Sequence, residues 1–160
     1  MRIHIGGDHA AYDLQRVLVA HLEAAGHVVV DHGPDTLDEQ DDYPVYVLRA
    51  AEAVARDGDS LGVVLGGSGN GEQIAANKVK GIRAALAWAP ELAGLAREHN
   101  DAQVVSIGAR FTPADVAKDI VDTFVGTAFS KDARHRRRIG MVTAYESTRD
   151  LPPLPDPGTR

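Results

Sequence analysis

Residues 63–78 read VVLGGSGNGEQIAANK, and this stretch decides the fold. An apolar run leads into four glycines within six positions and then into a helix-like segment. A glycine-rich turn between a strand and a helix exposes backbone amides, which bind anions. Glu72 follows the last glycine, where a phosphate-binding loop carries lysine. The question is which anion-binding turn would need a carboxylate.

Apolar and helix-like segments alternate along the rest of the chain. We predict strands over 2–7, 27–33, 61–67, 82–88 and 103–109, and helices over 12–26, 44–56, 90–100, 113–129 and 132–148, with a further helix from the glycine turn to about Lys78. No segment shows the alternating polarity of a hairpin, and 27–33 reads as a buried strand. The pattern predicts an α/β protein, a five-stranded parallel sheet with helices on both faces.

Length and composition limit the class of protein. A chain of 160 residues suits one domain, over residues 1–148, followed by an irregular proline-rich tail over 149–160. Such a chain buries about 68–70% of its unfolded surface, enough for a core without disulfides or a metal. A net charge of −6 argues against a general nucleic-acid binder, and the absence of cysteine excludes a catalytic thiol. Without a membrane span or signal peptide, we expect a cytoplasmic protein.

The predicted sheet selects a set of candidate ligand-binding residues. In open parallel sheets, ligands bind beyond the carboxyl ends of the strands. The positions at or just beyond the ends of the predicted strands are Asp8 and His9, the turn from Gly67 to Gly71, Trp88, and Arg110. Polar residues are common at strand ends, so Asp8 and His9 are weak evidence when taken alone.

The glycine turn matches neither common nucleotide-binding motif. No G-x-x-x-x-G-K-[ST] occurs, and the third glycine of G-x-G-x-x-G is replaced by Glu72. The turn is either a tight connection that needs glycine for positive φ or an anion hole made of amides. Likewise, Glu72 is either a first-turn glutamate that complements the helix dipole or a general base that faces the anion hole.

Two further groups of residues can carry chemistry. His99 and Asn100 close a predicted helix, where both residue types also occur for purely structural reasons. The segment KDARHRRR, over 131–138, is basic within an acidic protein, and Arg134 and Arg138 share a helix face beside His135. Two guanidinium groups on one face bind phosphate well. The alternatives are a solvated basic face or ion pairs with the acidic loop 38–42.

Taken together, these stretches resemble the ribose 5-phosphate isomerase B / galactose 6-phosphate isomerase family. The matching stretches follow the family's order over nearly the whole chain and leave out only the proline-rich tail. They are GGDHAAYDLQ at 6–15, DYP at 42–44, GGSGNGEQIAANKVKGIRAAL at 66–86, REHNDAQVVSIGAR at 97–110 and RHRRRI at 134–139. The family has a Rossmann-like fold and interconverts aldose and ketose phosphates through an enediolate, without a metal or other cofactor.

The resemblance implies catalytic roles for four residues. Glu72 would be the base, and His99 would open the sugar ring as a proton donor. Ser68 would assist the anion hole, and Asp8 would contact the substrate. Many members carry a cysteine as the base, at the position that matches Gly67. Because this chain has no cysteine, it looks like a branch of the family in which the glutamate takes over.

The resemblance also implies how the substrate is bound. The family's sites form at a dimer interface, so the arginines of one subunit would complete the site of the other, in a homodimer or a dimer of dimers. His9 would lie near the phosphate, and Asn100 would hold sugar hydroxyls. The implied binding residues are Asp8, His9, Gly67, Ser68, Gly69, Asn70, Gly71, Asn100, Arg110, Arg134, His135 and Arg138.

The sequence leaves three alternative functions open. The leading one is ribose 5-phosphate, interconverted with ribulose 5-phosphate. Another sugar phosphate, such as galactose or allose 6-phosphate or a tetrose phosphate, fits the same mechanism. A non-catalytic phosphosugar-binding protein is the third, but simple binding has no use for a base beside an anion hole.

Overall fold

The computed structural model, which describes residues 1–155, contains a five-stranded parallel sheet. The strands lie in the order β2-β1-β3-β5-β4, so β1, β3 and β5 occupy the centre. Pairs such as Gly7 with Leu65 and Gly66 with Gly108 align the carboxyl ends of the central strands at one edge. The strands are β1 (Arg2–Gly7), β2 (Val28–Asp31), β3 (Leu61–Gly66), β4 (Ala84–Leu86) and β5 (Val104–Gly108).

Helices cover both faces of the sheet, as the sequence predicts. One core cluster joins α1, α4 and α5 to strand residues such as Ile5, Val63 and Ile107. The second joins α2 and α3 to residues of opposite parity, such as Val64 and Val104. The helices of this three-layer α/β/α sandwich are α1 (Tyr12–Ala24), α2 (Tyr43–Asp57), α3 (Asn70–Ala76), α4 (Pro90–Asn100) and α5 (Ala114–Gly126); α6 (Ala133–Thr148) follows them in the chain.

The prediction that 27–33 forms a buried strand is wrong. β2 spans only Val28–Asp31, and Val28 is 61% exposed. The reason is the strand order, which leaves β2 at an edge of the sheet with β1 as its single neighbour. β4 and α5 are also shorter than predicted, since they span Ala84–Leu86 and Ala114–Gly126.

The contacts divide the chain into two units, Met1–Phe129 and Ser130–Arg160. The first contains the sheet and the helices α1 to α5, and the second contains α6. Residues 151–155 have no regular structure, which agrees with the predicted irregular tail, while 156–160 of that tail lie outside the described residues. Within residues 1–155, no helix is both long and apolar enough to cross a membrane.

Candidate active site

A pocket of about 410 Å³ lies at the carboxyl edge of the sheet, where β1, β3 and β5 end. Its walls bring together residues from the β1–α1 connection, the start of α2, the glycine turn and the end of β5. They are Asp8, His9, Ala10, Tyr43, Gly67, Ser68, Gly71, Glu72, Arg110 and Phe111. The pocket therefore contains Asp8, His9, residues of the glycine turn and Arg110, which the sequence placed together at the carboxyl edge of the predicted sheet.

The glycine turn has a fixed conformation. Gly69 adopts φ +79°, and a Cβ there would approach Leu86 Cδ1 at 2.6 Å and the amide nitrogen of Gly108 at 3.0 Å. The buried hydroxyl of Ser106, on β5, donates a hydrogen bond of 2.7 Å to the carbonyl of Gly69. The turn is thus held from the sheet, and only glycine fits at position 69.

Glu72, in the first turn of α3, is almost completely buried, with 4% of its surface exposed. Its Oε2 atom has no hydrogen-bond partner among the described residues. Burial raises the pKa of the Glu72 carboxyl above 4.5, and the negative charge of Asp8 raises it further, although two backbone amides act in the opposite direction. A buried carboxylate with a raised pKa is a stronger proton acceptor than an exposed glutamate.

The Glu72 carboxyl occupies the space in front of Gly66. A Cβ built on Gly66 would overlap Oε1 of Glu72. A Cβ on Gly67 would instead face the guanidinium of Arg110, with its nearest atoms at 3.3 Å. A side chain at position 66 would therefore occupy the place of the Glu72 carboxylate. Position 66 is one residue before the position that the family resemblance suggests for the cysteine.

Asp8 and His9 lie at the end of β1. Asp8 accepts a hydrogen bond of 3.1 Å from the amide of Ala10 and so caps a short 3-10 helix, His9–Ala11. Burial raises the pKa of the Asp8 carboxyl, because desolvation outweighs this hydrogen bond and the nearby His9. His9 Nδ1 lies 2.7 Å from Oδ1 of Asp41, and this hydrogen bond raises the pKa of the imidazole.

Three neighbouring residues, Asp41, Tyr43 and Phe111, were not assigned a role by the sequence. Tyr43 and Phe111 line the pocket, and the Tyr43 phenol packs against Gly71, where an added Cβ would meet it at 2.7 Å. Asp41 belongs to the acidic loop, and Tyr43 to the DYP stretch, which carried only the family resemblance. Hydrophobic periodicity identifies residues of helices and strands. It gives no signal for a loop residue that folding places beside the end of a strand from another part of the chain.

Asn70 and Trp88 lie beside the pocket, next to Ser68 in its wall. The amide and the side-chain nitrogen of Asn70 both lie 3.3 Å from the Ser68 hydroxyl. Ser68 also lines a second cavity, of about 230 Å³, together with Asn70, Trp88 and Phe111. Trp88 and Phe111 are 65% and 77% exposed, so aromatic surface borders the pocket.

His99 and Asn100 lie at the opposite edge of the sheet. Because β4 and β5 are parallel, α4 runs back from the carboxyl end of β4 to the amino end of β5. Arg83, which precedes β4, donates a hydrogen bond of 2.8 Å to the carbonyl of Asn100. At roughly 3.3 Å per strand residue, about 15 Å separates the two edges along β5. The structure therefore does not bring His99 and Asn100 to the pocket of their own chain.

The basic segment forms the start of α6 in the second unit. Arg134 and Arg138 are exposed, four residues apart on the helix. His135 is 3% exposed, and its Nδ1 lies 2.8 Å from the hydroxyl of Ser130. Arg134 and Arg138 thus form an exposed basic face, whereas the buried His135 imidazole interacts with the segment that precedes the helix.

Within residues 1–155, the spacing needed for a metal ion occurs only at Asp8, His9 and Asp41, whose ligand atoms lie within 4.8 Å of one another. The His9 ring and the Asp41 carboxylate already form a hydrogen bond. We therefore interpret the group as a polar network.

The fold and the pocket define a class of protein: a Rossmann-like α/β protein in which a buried carboxylate lies beside a glycine-rich turn. The model of one family, described as Ribose/Galactose Isomerase, matches residues 3–142. The chain therefore belongs to this family.

Curated relatives and solved structures agree with this assignment. The chain is 53% identical to ribose-5-phosphate isomerase B of Mycolicibacterium paratuberculosis over 155 residues, which cover 97% of this chain and 98% of the relative. It is 39% identical to the Escherichia coli K12 enzyme of that name, over 93% of this chain and 99% of the relative. The Mycoplasma genitalium enzyme, solved with bound ribulose-5-phosphate, superposes with a TM-score of 0.88 at 38% identity and covers 92% of this chain and 97% of its own.

Proposed function

We propose that this protein interconverts ribose 5-phosphate and ribulose 5-phosphate, with Glu72 as the base that moves the carbon-bound proton. The observation that carries the mechanism is the buried Glu72 carboxyl, whose raised pKa and place beside the glycine turn suit proton transfer. The proposed activity follows from the family and from relatives named ribose-5-phosphate isomerase B, which this chain matches over almost their whole length.

The proton transfer uses two functions of one turn. The Glu72 carboxylate takes the proton from C2 of the open-chain aldose, and the electrons of that bond form the C1–C2 double bond of an enediolate. Backbone amides of Gly67 to Gly71, assisted by Ser68, stabilise the charge that develops on O1; each such donor is typically worth about 2.7–4 kcal/mol. Glu72 then returns the proton to C1, and the proton of the C2 hydroxyl passes to O1 as C2 becomes the ketone carbon. This division of labour explains the carboxylate in an anion-binding turn.

The phosphate is bound away from the reacting carbons. Arg110 and His9 line the pocket and supply positive charge from the same chain as Glu72. Arg134 and Arg138, at the start of α6, act from a second subunit. Binding a remote phosphate holds C2 against the base, which is how a non-reacting group raises the rate.

The second subunit also supplies His99 and Asn100. In their own chain these residues lie about 15 Å of strand away from the pocket, by the spacing of strand residues. In a homodimer, or a dimer of dimers, the amino edge of one sheet can face the carboxyl edge of another. His99 then opens the ring as a proton donor, and Asn100 holds hydroxyls.

The cytoplasmic location stays a prediction from the sequence.

The test of the substrate is a comparison of sugars. Purified protein treated with a chelator is incubated with ribose 5-phosphate, allose 6-phosphate, galactose 6-phosphate and a tetrose phosphate, and ketose formation is followed. We expect the highest kcat/KM for ribose 5-phosphate. A higher kcat/KM for another sugar would agree with the mechanism but contradict ribose 5-phosphate as the substrate. Binding without turnover of any sugar would contradict the proposal that the protein is an enzyme.

A further inference from the structure

The carboxylate of Asp41 makes two hydrogen bonds with a single pocket residue. Its Oδ1 atom accepts from the backbone amide of His9 at 2.9 Å and lies 2.7 Å from Nδ1 of the same residue. A carboxylate that is ionised can only accept, so Nδ1 carries the proton. The main chain and the ring of His9 are therefore fixed by one oxygen atom.

Asp41 is suited to this task by its burial. Its side chain is 7% exposed, and Oδ2 has no hydrogen-bond partner among the described residues. Burial on its own raises the pKa of the Asp41 carboxyl, but the two hydrogen bonds from His9, together with the Tyr46 hydroxyl and the charge of His9, outweigh it, so the pKa lies below its usual value. The carboxylate thus stays ionised, and His9 is the main group that compensates its charge.

The loop that carries Asp41 is itself anchored. The amide of Asp41 donates to the carbonyl of Asp38 at 3.1 Å, and the amide of Gln40 donates to the Asp38 carboxylate at 3.0 Å. This turn connects β2 to α2, so Asp41 reaches the end of β1 from a different part of the chain. The contact with His9 joins two loops at the mouth of the pocket.

We propose that Asp41 is a positioning residue for the isomerase reaction: its carboxylate holds the Nδ1–H of His9, so that the ring presents Nε2 and a positive charge to the phosphate of the sugar. The inference rests on the proposed function, in which His9 binds that phosphate. It assigns a role to a residue that itself need not touch the substrate.

The charges around His9 determine how its protonation responds to pH. Asp8, at the end of β1, lies 4.0 Å from Nδ1, and Asp41 approaches from the β2–α2 loop. Arg110 from the end of β5 and Glu72 from α3 line the same pocket, and Tyr46 of α2 lies near Asp41. The Asp41 hydrogen bond dominates and raises the pKa of His9. His9 therefore keeps its charge to higher pH than an ordinary histidine and loses it when the pH rises through that raised pKa.

The variant Asp41→Asn tests this role. The oxygen of an asparagine side chain still accepts both hydrogen bonds. The substitution removes the negative charge that favours the protonated imidazole of His9. Exposed Asp42 is the matched control, because Asp42→Asn removes the same charge one residue away, at a helix start where its side chain makes no capping bond. We expect the KM for ribose 5-phosphate to rise about fivefold in Asp41→Asn, with a much smaller change in kcat. The rise of KM at alkaline pH should also move to lower pH, whereas Asp42→Asn should change neither.

Two further measurements separate positioning from a merely structural role. Titration of the imidazole by NMR, without substrate, should show a neutral form with the proton on Nδ1 and a pKa that falls in Asp41→Asn. In a His9→Gln background, Asp41→Asn should cause no additional rise in KM.

A neutral His9 with its proton on Nε2 would overturn the proposal even if the variant failed to fold. An equal rise in KM with and without His9 would also overturn it, as would an unchanged KM when the imidazole pKa has fallen. The NMR result reports on the Asp41–His9 pair alone, while turnover by the unaltered protein reports on the proposed function, so the two cannot be confused.

Discussion

Glu72 combines two properties that an exposed glutamate lacks. It is buried, which raises the pKa of its carboxyl, and it faces a pocket that also holds Asp8. The sequence left two roles open for this residue, because a glutamate in a first helical turn commonly serves the helix dipole. Its burial and the shape of the pocket, which no local pattern reveals, favour the role of base.

The pH dependence of kcat/KM should reflect this raised pKa. The base works only when ionised, so activity rises as the pH rises through the pKa of the Glu72 carboxyl, which lies above 4.5. We expect the acid limb of kcat/KM for ribose 5-phosphate to lie above pH 4.5, in a range where circular dichroism shows the fold intact. Full activity down to pH 4.5 would contradict the assignment.

Gly66 and Glu72 compete for the same space. Gly66→Cys should destabilise the protein by about 1–3 kcal/mol, the usual cost of overpacking, because its Cβ overlaps the Glu72 carboxyl. Gly67→Cys is the matched control, since the atoms nearest its Cβ belong to the flexible Arg110 side chain, at 3.3 Å. Chemical denaturation measures both variants, and the double variant Gly66→Cys with Glu72→Ala should recover stability. Equal stability of Gly66→Cys and the unaltered protein would contradict this account of the pocket.

At the scale of elements, the sequence predicts most of the sheet and groups several of the residues that line the pocket. Apolar runs located the five strands, and the carboxyl-edge rule then grouped Asp8, His9, the glycine turn and Arg110. The same runs cannot distinguish an edge strand from a central one, which is why β2 was predicted to be buried. The place of His99 follows from the direction of α4 between two parallel strands and not from the residues around it.

The connection between β3 and α3 depends on a residue of β5. Ser106→Ala removes the hydroxyl that donates to the carbonyl of Gly69 and leaves that buried carbonyl without this partner. We expect a loss of about 0.5–1.5 kcal/mol of unfolding free energy, because the amide of Gln73 still donates to that carbonyl at 3.0 Å, and a fall in kcat because the turn amides are held less firmly. Denaturation and steady-state kinetics measure the two effects.

Ser60 provides the control for Ser106. It is also buried, at 4% exposed, and its hydroxyl has no hydrogen-bond partner among the described residues. Ser60 precedes β3 at the edge away from the pocket. Ser60→Ala should therefore leave kcat unchanged. A similar loss of kcat in both alanine variants would show that the Ser106 hydrogen bond has no specific role.

At the scale of the whole molecule, the proposed mechanism requires two subunits. The carboxyl edge carries Glu72 and the amino edge carries His99, so the two residues could act on one sugar only where the edges of two chains meet. No sequence pattern gives the oligomeric state, because an interface depends on surfaces that the fold assembles from distant segments.

Mixed dimers test this arrangement. Glu72→Gln and His99→Asn should each be nearly inactive alone. When the two variants are co-expressed and assort at random, half of the dimers contain one unaltered site of two, so about a quarter of the full activity should return. Each variant mixed with itself is the control. No recovery in the hybrids, after mass spectrometry has shown that they form, would contradict a site shared between subunits.

The most direct test of the central claim is the turnover of ribose 5-phosphate by Glu72→Gln. Glutamine keeps the shape of the side chain but cannot accept the carbon-bound proton at neutral pH. The account predicts that kcat falls by about 10²- to 10⁴-fold, the usual contribution of a positioned base. It also predicts that stability at neutral pH does not fall, because the burial that raises the pKa disfavours the ionised carboxylate. Near-full turnover by a folded Glu72→Gln protein would show that another group moves the proton.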